Sequence, residues 1–177
     1  MSTLAAAIGR PEPTEYDPYY GRYISLLDTD DIVTALEKQS QDTHAFLSRL
    51  TDQQGNCRYA PGKWSVKEVL GHINDTERIM SYRALRIARG DQTPIEGFEQ
   101  DNYIPAGKFD SRTIADLLQE FMAIRKATIQ LLRHFDSASA ERRGTASTKP
   151  VSTRALAYII AGHELHHRRV LQEKYLK

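Results

Sequence analysis

The residues best suited to chemistry lie near the end of the chain, in His163-Glu-Leu-His-His167. Residues four apart occupy one face of a helix, so His163 and His167 can direct both imidazoles at one point. Two convergent ring nitrogens suit a divalent transition metal, which binds such ligands at about 2.0–2.1 Å. His166 lies about 100° away around the helix axis and is a poorer candidate. Spacing alone leaves metal binding and a pair of hydrogen-bonded core histidines equally open.

The same segment matches His-Glu-x-x-His, a zinc-peptidase pattern in which the glutamate, here Glu164, acts as a general base. Common peptidases of this kind take a third ligand further downstream. Only ten residues follow His167, and none of them is a histidine. Glu173 is the acidic residue after His167 that could serve as a third ligand, but it lies roughly 9 Å farther along the same helix. A metallopeptidase is therefore the weaker alternative.

A better third ligand is His72, in Leu70-Gly-His-Ile-Asn-Asp-Thr-Glu77. If this face packs against the last helix, three imidazoles can surround one cation and leave an open coordination position. Gly71 and Gly162 each precede a candidate ligand. Because a glycine inside a helix costs about 1 kcal/mol relative to alanine, the pair favours a close approach of these two helices. A packing requirement unrelated to metal is the alternative.

Four amphipathic segments must position these side chains, and they predict an all-α four-helix bundle. The predicted helices cover about 30–50, 65–89, 111–135 and the chain from 152 onward. Ser65 and Glu68 form a capping box, Ser111 and Ser152 are the predicted N-caps of the later helices, and Gly90 can close the second helix. No β-strand pattern competes with the helical spacing.

Two segments lie outside the predicted helices. Residues 91–110 are long for a helix–helix connection and predict a crossover over the bundle or the border of a site. Residues 1–29 combine prolines, which exclude a long helix, with tyrosines that suggest packing onto another surface. We therefore predict an extended N-terminal arm over 1–29 and a bundle domain over 30–177.

Composition narrows the function classes further. The chain has 177 residues, which suits one domain, and its formal net charge is +1, so a nucleic-acid partner is not expected. Cys57 is the only cysteine, which excludes an internal disulfide and suits a reducing compartment. The N-terminus does not resemble a signal peptide, and no stretch approaches the roughly 20 apolar residues of a membrane helix. These features predict a cytoplasmic protein without a membrane segment.

Several motifs resemble one known family in combination. They are the run from Tyr59 to Ile73 with Trp64 and His72, the following Asp75-Thr-Glu77-Arg78, the connection segment from Gly97 to Tyr103, and the closing run from Ser152 to His167. This combination is similar to the DinB/YfiT-like superfamily over about residues 30 to 175. The N-terminal arm lies outside the resemblance.

The resemblance implies a four-helix bundle with an up-down-down-up connection, in which 91–110 is the crossover. It also implies one metal ion, usually nickel or zinc, bound by residues matching His72, His163 and His167. Relatives in this family include thiol S-transferases that use bacillithiol, mycothiol-dependent isomerases and glutathione-using enzymes. Many members have no assigned reaction.

Three neutral imidazoles would leave the metal dipositive and open, as in catalytic sites. The leading hypothesis is an enzyme that activates a small thiol or water for attack on an electrophilic small molecule. Asp75 can orient His72 or accept a proton, or it can only pair with Arg78. Three further candidates, for the pocket mouth, are Asn102, Tyr103 and Arg154. The alternative is a non-catalytic bundle that binds a metal or another ligand. In either case the bundle can form a homodimer.

Overall fold

The computed structural model describes residues 8–176 and consists mainly of helices. The α-helices are α1 (Gly21–Ile24), α2 (Ile32–Leu47), α3 (Asp52–Gly55), α4 (Val66–Ala88), α5 (Gln100–Gly107), α6 (Ile114–Arg133), α7 (Ser137–Glu141) and α8 (Thr153–Val170). Single 3-10 turns lie at Pro13–Glu15, Pro18–Tyr20 and Phe109–Ser111, and α8 continues into a π-helical turn, Leu171–Tyr175. One antiparallel hairpin joins β1 (Arg143–Ala146) to β2 (Lys149–Ser152). The long helices α2, α4, α6 and α8 form the bundle.

Helix starts follow the predicted caps with one exception. The Ser65 hydroxyl accepts the Glu68 amide and the Glu68 carboxylate accepts the Ser65 amide, which confirms the capping box of α4. Ser152 caps α8 as predicted. Thr113, and not Ser111, caps α6, because Ser111 belongs to the preceding 3-10 turn. The first predicted helix is shorter than expected, and its last residues fall in a loop that leads to α3.

Contacts between the long helices establish an up-down-down-up bundle. Each of α2 and α4 packs against both α6 and α8. Helix α2 runs parallel to α8, because Gln39 contacts Ala161 and Thr43 contacts Glu164. Helix α4 runs parallel to α6, as the contacts Asn74–Leu117 and Glu77–Arg125 show. The pairs α2–α6 and α4–α8 are antiparallel, with contacts Leu36–Arg125 and Ser40–Met122 in the first pair and His72–His163 and Trp64–Tyr175 in the second. A parallel α4–α6 pair needs a connection that returns along the bundle. The predicted crossover provides it, although α5 lies inside that segment.

The hairpin was not predicted. Its strands are four residues long, too short for alternation to stand out, and β1 pairs with β2 in the register Arg143 to Ser152. Ser147 and Thr148 at the turn have positive φ, where asparagine or glycine would mark a hairpin in the sequence. Ile95 of the crossover forms a parallel bridge to Ala146. The hairpin therefore ties the crossover to the start of α8.

The N-terminal segment is folded onto the bundle. Its prolines exclude a long helix as predicted, but the described part, 8–29, contains short helical turns instead of an extended chain. Ile8, Ile24 and Leu27 are buried with the residues of the first half of α8. The Arg10 guanidinium donates to the Leu27 carbonyl at 2.6 Å. The domain boundary at residue 30 stays a prediction, since these residues share the core of the bundle.

A second apolar cluster fills the end of the bundle where α4 begins. It includes Val69, Leu70 and Ile73 of α4 together with Phe109 and Phe121. His72 lies on the same stretch of helix, so this cluster surrounds one side of the predicted site. Across residues 8–176, no helix is both long and apolar enough to traverse a lipid bilayer.

Candidate metal centre

The structure brings the three predicted ligands together. The Nε2 atom of His163 lies 3.0 Å from Nε2 of His72 and 3.1 Å from Nε2 of His167. All three donor atoms lie within 4.8 Å of one another. Nitrogen ligands that bind one cation at about 2.0–2.1 Å are separated by roughly 2.9 to 3.4 Å. Both pairs that include His163 fit that range, so the trio is a candidate site for a transition-metal ion.

Hydrogen bonding alone does not satisfy these close contacts. A ring nitrogen carries either one hydrogen or one lone pair, so Nε2 of His163 can form a normal hydrogen bond with only one of its two neighbours. A cation accepts the lone pairs of all three nitrogens at once. The donor set is therefore better satisfied by a metal than by the protein.

Burial keeps the imidazoles in the neutral form that binds metal. His72 is 4% exposed, and burial lowers its pKa to about 4. Burial, followed by repulsion from His72 and His166, lowers the pKa of His167 to about 3. For His163, burial and then the neighbouring rings lower the pKa well below its usual range. All three are neutral near pH 7.

The two glycines beside the ligands mark close approaches, but not the one predicted. A Cβ on Gly162 would lie 2.2 Å from the carbonyl oxygen of Tyr23 in α1. A Cβ on Gly71 would lie 2.3 Å from the ring of Phe109. The predicted contact between α4 and α8 as the reason for these glycines is therefore wrong. They admit the N-terminal segment and the end of the crossover instead.

Aromatic side chains enclose the trio on two sides. The Trp64 ring centroid lies 4.9 Å from that of His72, and the Tyr23 ring centroid lies 5.4 Å from that of His163. Tyr23 is buried, whereas Trp64 and His167 are partly exposed. The centre therefore opens towards solvent on the side of Trp64 and His167. Sequence reasoning missed Tyr23, because nothing local in the arm indicates which helix it covers.

His166 lies at the rim of this opening. Its ring centroid is 5.0 Å from that of His167 and 5.4 Å from that of Tyr23. Burial lowers the pKa of His166, the positive charges of Arg22 and Lys174 lower it further, and Glu173 opposes them. Two cations therefore stand close to the opening.

Thr76 takes the position that the sequence suggested for Asp75. The Thr76 hydroxyl lies 3.5 Å from Nδ1 of His72 and is buried. The Asp75 carboxylate lies instead 3.8 Å from Nη1 of Arg78, and burial raises the pKa of Asp75. Thr76 is one turn from His72, a signal that was available in the sequence. The proposed catalytic role of Asp75 stays a prediction.

The three candidates for the pocket mouth lie on two helices, α5 and α8. Asn102 is exposed on α5, and the Tyr103 ring, 42% exposed, lies against Phe98 at 5.6 Å. Arg154 donates from Nε to the buried Glu15 carboxylate at 2.8 Å. That position is nine residues before His163, about 13 Å along α8. The structure does not bring Arg154 to the trio, and it binds the N-terminal segment to α8 instead.

Glu164 faces away from the trio. It is 1% exposed, and its carboxylate accepts the Thr43 hydroxyl of α2. Burial raises the pKa of Glu164, and one of its oxygens has no partner among the residues described. A peptidase general base must reach the metal-side water and the substrate. The glutamate of the peptidase pattern is instead enclosed between α8 and α2, which disfavours that alternative.

A separate buried ion pair lies between α4 and α6. Arg125 Nε lies 2.9 Å from Glu77 Oε1, and Arg125 Nη2 lies 2.8 Å from Glu77 Oε2. Both side chains are buried. The partner of Glu77 was missed from the sequence, although an arginine four residues after Phe121 on the apolar face of α6 was a visible signal.

Comparison with known proteins places this geometry in context. The model of a family described as the DinB superfamily matches residues 35–171. A solved structure with the same overall fold is described as "YfiT from Bacillus subtilis is a probable metal-dependent hydrolase with an unusual four-helix bundle topology". It is 16% identical, with a TM-score of 0.68 over 92% of this chain and 89% of that chain. No curated protein matches the sequence.

Proposed function

Because the chain belongs to the DinB superfamily, we propose that it is a metal-dependent enzyme acting on a small molecule. The metal is one divalent transition ion, nickel or zinc, held by His72, His163 and His167. The observation that carries the proposal is the convergence of three neutral ring nitrogens within 4.8 Å of one another. Among the described residues, no carboxylate belongs to this group of donor atoms.

A divalent metal on three neutral imidazoles keeps its full charge and, when bound, can lower the pKa of a water to about 7 or ionise a thiol. Water as the nucleophile makes the protein a hydrolase, which the fold likeness to YfiT, described as a probable metal-dependent hydrolase, supports. A low-molecular-weight thiol as the nucleophile makes it an S-transferase. Both reactions need an electrophilic small molecule at the same opening.

The chain's own residues supply the rest of the site. Burial holds the imidazoles neutral, and the Thr76 hydroxyl can bond Nδ1 of His72, which orients that ring and selects its tautomer. Tyr23 and Trp64 exclude bulk water from two sides. The partly exposed His167 leaves one side for the substrate.

Metal binding is tested by elemental analysis of purified wild-type protein and of His163→Ala. We expect one nickel or zinc per wild-type chain and none in His163→Ala, with helical circular dichroism unchanged. His44→Ala, an exposed histidine on α2, is the matched control and should retain the metal. Unchanged metal content in His163→Ala would remove His163 from the site.

Catalysis is tested on metal-loaded protein with two panels. One contains hydrolysable esters and amides, and the other combines bacillithiol, mycothiol or glutathione with electrophilic acceptors. Turnover that needs the thiol identifies an S-transferase, and turnover without it identifies a hydrolase. Bound metal without turnover in either panel would favour a non-catalytic metal-binding bundle. Cleavage of unfolded protein that is lost in Glu164→Gln would revive the peptidase alternative.

A further inference from the structure

Two cations stand at the opening of the centre without a carboxylate partner. Arg22 lies on α1 and Lys174 in the π-helical turn that extends α8, and both are exposed. The ion pairs within residues 8–176 include neither of them. Arg58 and Arg168, by contrast, each face an acid.

Each cation lies against an aromatic group that leads to the trio. The Arg22 guanidinium is 3.9 Å from the Tyr19 ring centroid and 6.0 Å from that of Tyr23. The Tyr23 ring in turn contacts His163. Stacking on a ring fixes the position of a guanidinium without neutralising it. Arg22 is therefore held, still charged, beside the wall of the site.

Lys174 lies against a pair of tyrosines next to the other wall. Its Nζ lies 5.3 Å from the Tyr59 ring centroid, and that ring lies 4.9 Å from the Tyr175 ring. The Tyr175 hydroxyl donates to the Trp64 carbonyl at 2.8 Å. Since Trp64 lies against His72, this series of contacts connects Lys174 to the second aromatic wall.

The acids and bases around the opening balance one another before a metal is bound. Glu68 and Asp110 both bind Arg58, and Glu164 faces α2. Glu173 is the acid whose charge acts on His166 together with the two cations. Arg22, Lys174 and Arg58 therefore stand against Glu68, Asp110 and Glu173, which is three positive charges against three negative charges. A bound divalent metal would add two positive charges, so the field at the opening would then attract anions.

We propose that the substrate is a small organic anion with an aromatic or other flat apolar body. The body packs between Tyr23 and Trp64, and its carboxylate or phosphate group is bound at the rim by Arg22 and Lys174 through charge-assisted hydrogen bonds. This inference rests on the proposed function, because it names the class of molecule that the same centre accepts.

The binding test uses Trp64 as its reporter. Trp64 is the only tryptophan of the chain, and its ring lies 4.9 Å from that of His72. Zinc-loaded protein is titrated with benzoate and phenyl phosphate, and with benzyl alcohol as the neutral analogue, while Trp64 fluorescence is followed. We expect a saturable change for the anions, with binding at least about tenfold tighter than for the alcohol and weaker as salt is added.

Substitutions then assign the effect to the two cations. Arg22→Gln and Lys174→Gln should each weaken anion binding by about five- to tenfold and leave binding of the alcohol unchanged. Arg89→Gln is the matched control, because it removes an exposed positive charge at the end of α4, about 25 Å along the helix from His72. Circular dichroism confirms that each variant is folded.

The outcomes separate this inference from the proposed function. Zinc content is measured on the same samples. If zinc binds but anions and alcohol bind equally, or if anion binding survives both substitutions, the inference fails and the metal centre stands. If zinc does not bind, the proposed function fails, and the titration of metal-free protein still decides whether Arg22 and Lys174 bind the anion.

Discussion

Two polar clusters are buried in this bundle, and they are satisfied in different ways. Glu77 and Arg125 pair through two short contacts that neutralise both charges. The trio of His72, His163 and His167 has three neutral nitrogens that face one another and one side open to solvent. The first cluster is complete within the protein. The second cluster is complete only when a cation is added.

This difference separates a structural cluster from a functional one. A buried ion pair is self-contained, so its loss is felt by the fold. A set of converging lone pairs contributes little to folding by itself, and its value appears when the ligand binds. The two clusters should therefore respond oppositely to mutation and to metal.

The largest expected effect is on stability, and it concerns the buried Glu77–Arg125 pair. Glu77→Leu leaves the Arg125 charge buried and unpaired, and we expect it to cost about 3–5 kcal/mol in the free energy of unfolding, measured by urea denaturation. The double variant Glu77→Leu/Arg125→Met should recover much of that loss. Glu37→Ala, which removes an exposed ion pair, should cost less than about 1 kcal/mol. A similarly small cost for Glu77→Leu would contradict the structural role of the Glu77–Arg125 pair.

The second effect is the change in the free energy of unfolding when zinc binds the trio of His72, His163 and His167. Free zinc at a thousand times its dissociation constant should raise the free energy of unfolding of the wild type by about 4 kcal/mol. His163→Ala should lose this increase, whereas Glu77→Leu should keep it, since it leaves the ligands in place. A zinc response that is equal in wild type and His163→Ala would show that the metal binds elsewhere.

The third effect concerns α1, which places Tyr23 against the histidine trio. In Gly162→Ala the new Cβ meets the Tyr23 carbonyl, and we expect a loss of about 1–3 kcal/mol together with faster amide exchange in α1. Gly21→Ala is the control, because a Cβ there meets nothing within 4 Å. Equal exchange rates in α1 for the two variants would show that the packing of α1 does not depend on this contact.

The smallest effect is the pH dependence of a second self-contained pair, Glu15 with Arg154. Burial raises the pKa of Glu15, but hydrogen bonds from Arg154 and the Glu12 amide outweigh it and lower the pKa from 4.5 to about 2. Because the folded pKa is depressed, the pair stabilises the protein above pH 4.5 and loses this contribution as the pH falls towards 2.

Arg154→Gln tests that expectation. Its free energy of unfolding should lie about 1–2 kcal/mol below that of the wild type at pH 7, since Arg154 is partly exposed and solvent screens the pair. The difference should shrink as the pH falls below 4.5. A difference that stays constant from pH 7 to pH 3 would exclude the titration of Glu15 as its cause.

The sequence predicted the features that local chemistry determines. The capping box at Ser65, the cap at Ser152 and the four-residue spacing of His163 and His167 each act within one helix, so a single segment reveals them. Pairing that spacing with His72 required only that two apolar faces meet. The bundle and its crossover followed from the helical segments and the length of their connections.

The features that the sequence did not reveal depend on contacts between distant segments. Tyr23 lies on His163 because α1 packs on α8, which no pattern in the arm specifies. The partner of Glu77 depends on the parallel pairing of α4 and α6. The hairpin forms across short strands whose turn has no glycine, and Arg154 faces Glu15 far from the centre it was predicted to border.

The contact of Tyr23 with Gly162 has a consequence for how access to the centre is controlled. Tyr23 lies on α1, ahead of the four long helices, so one wall of the centre is supplied by a segment that carries none of the three histidines. Replacing that leading stretch would change what reaches the imidazoles while every ligand stayed in place. Access to the centre can therefore be set by a segment ahead of the bundle, with the helices that carry the three histidines untouched.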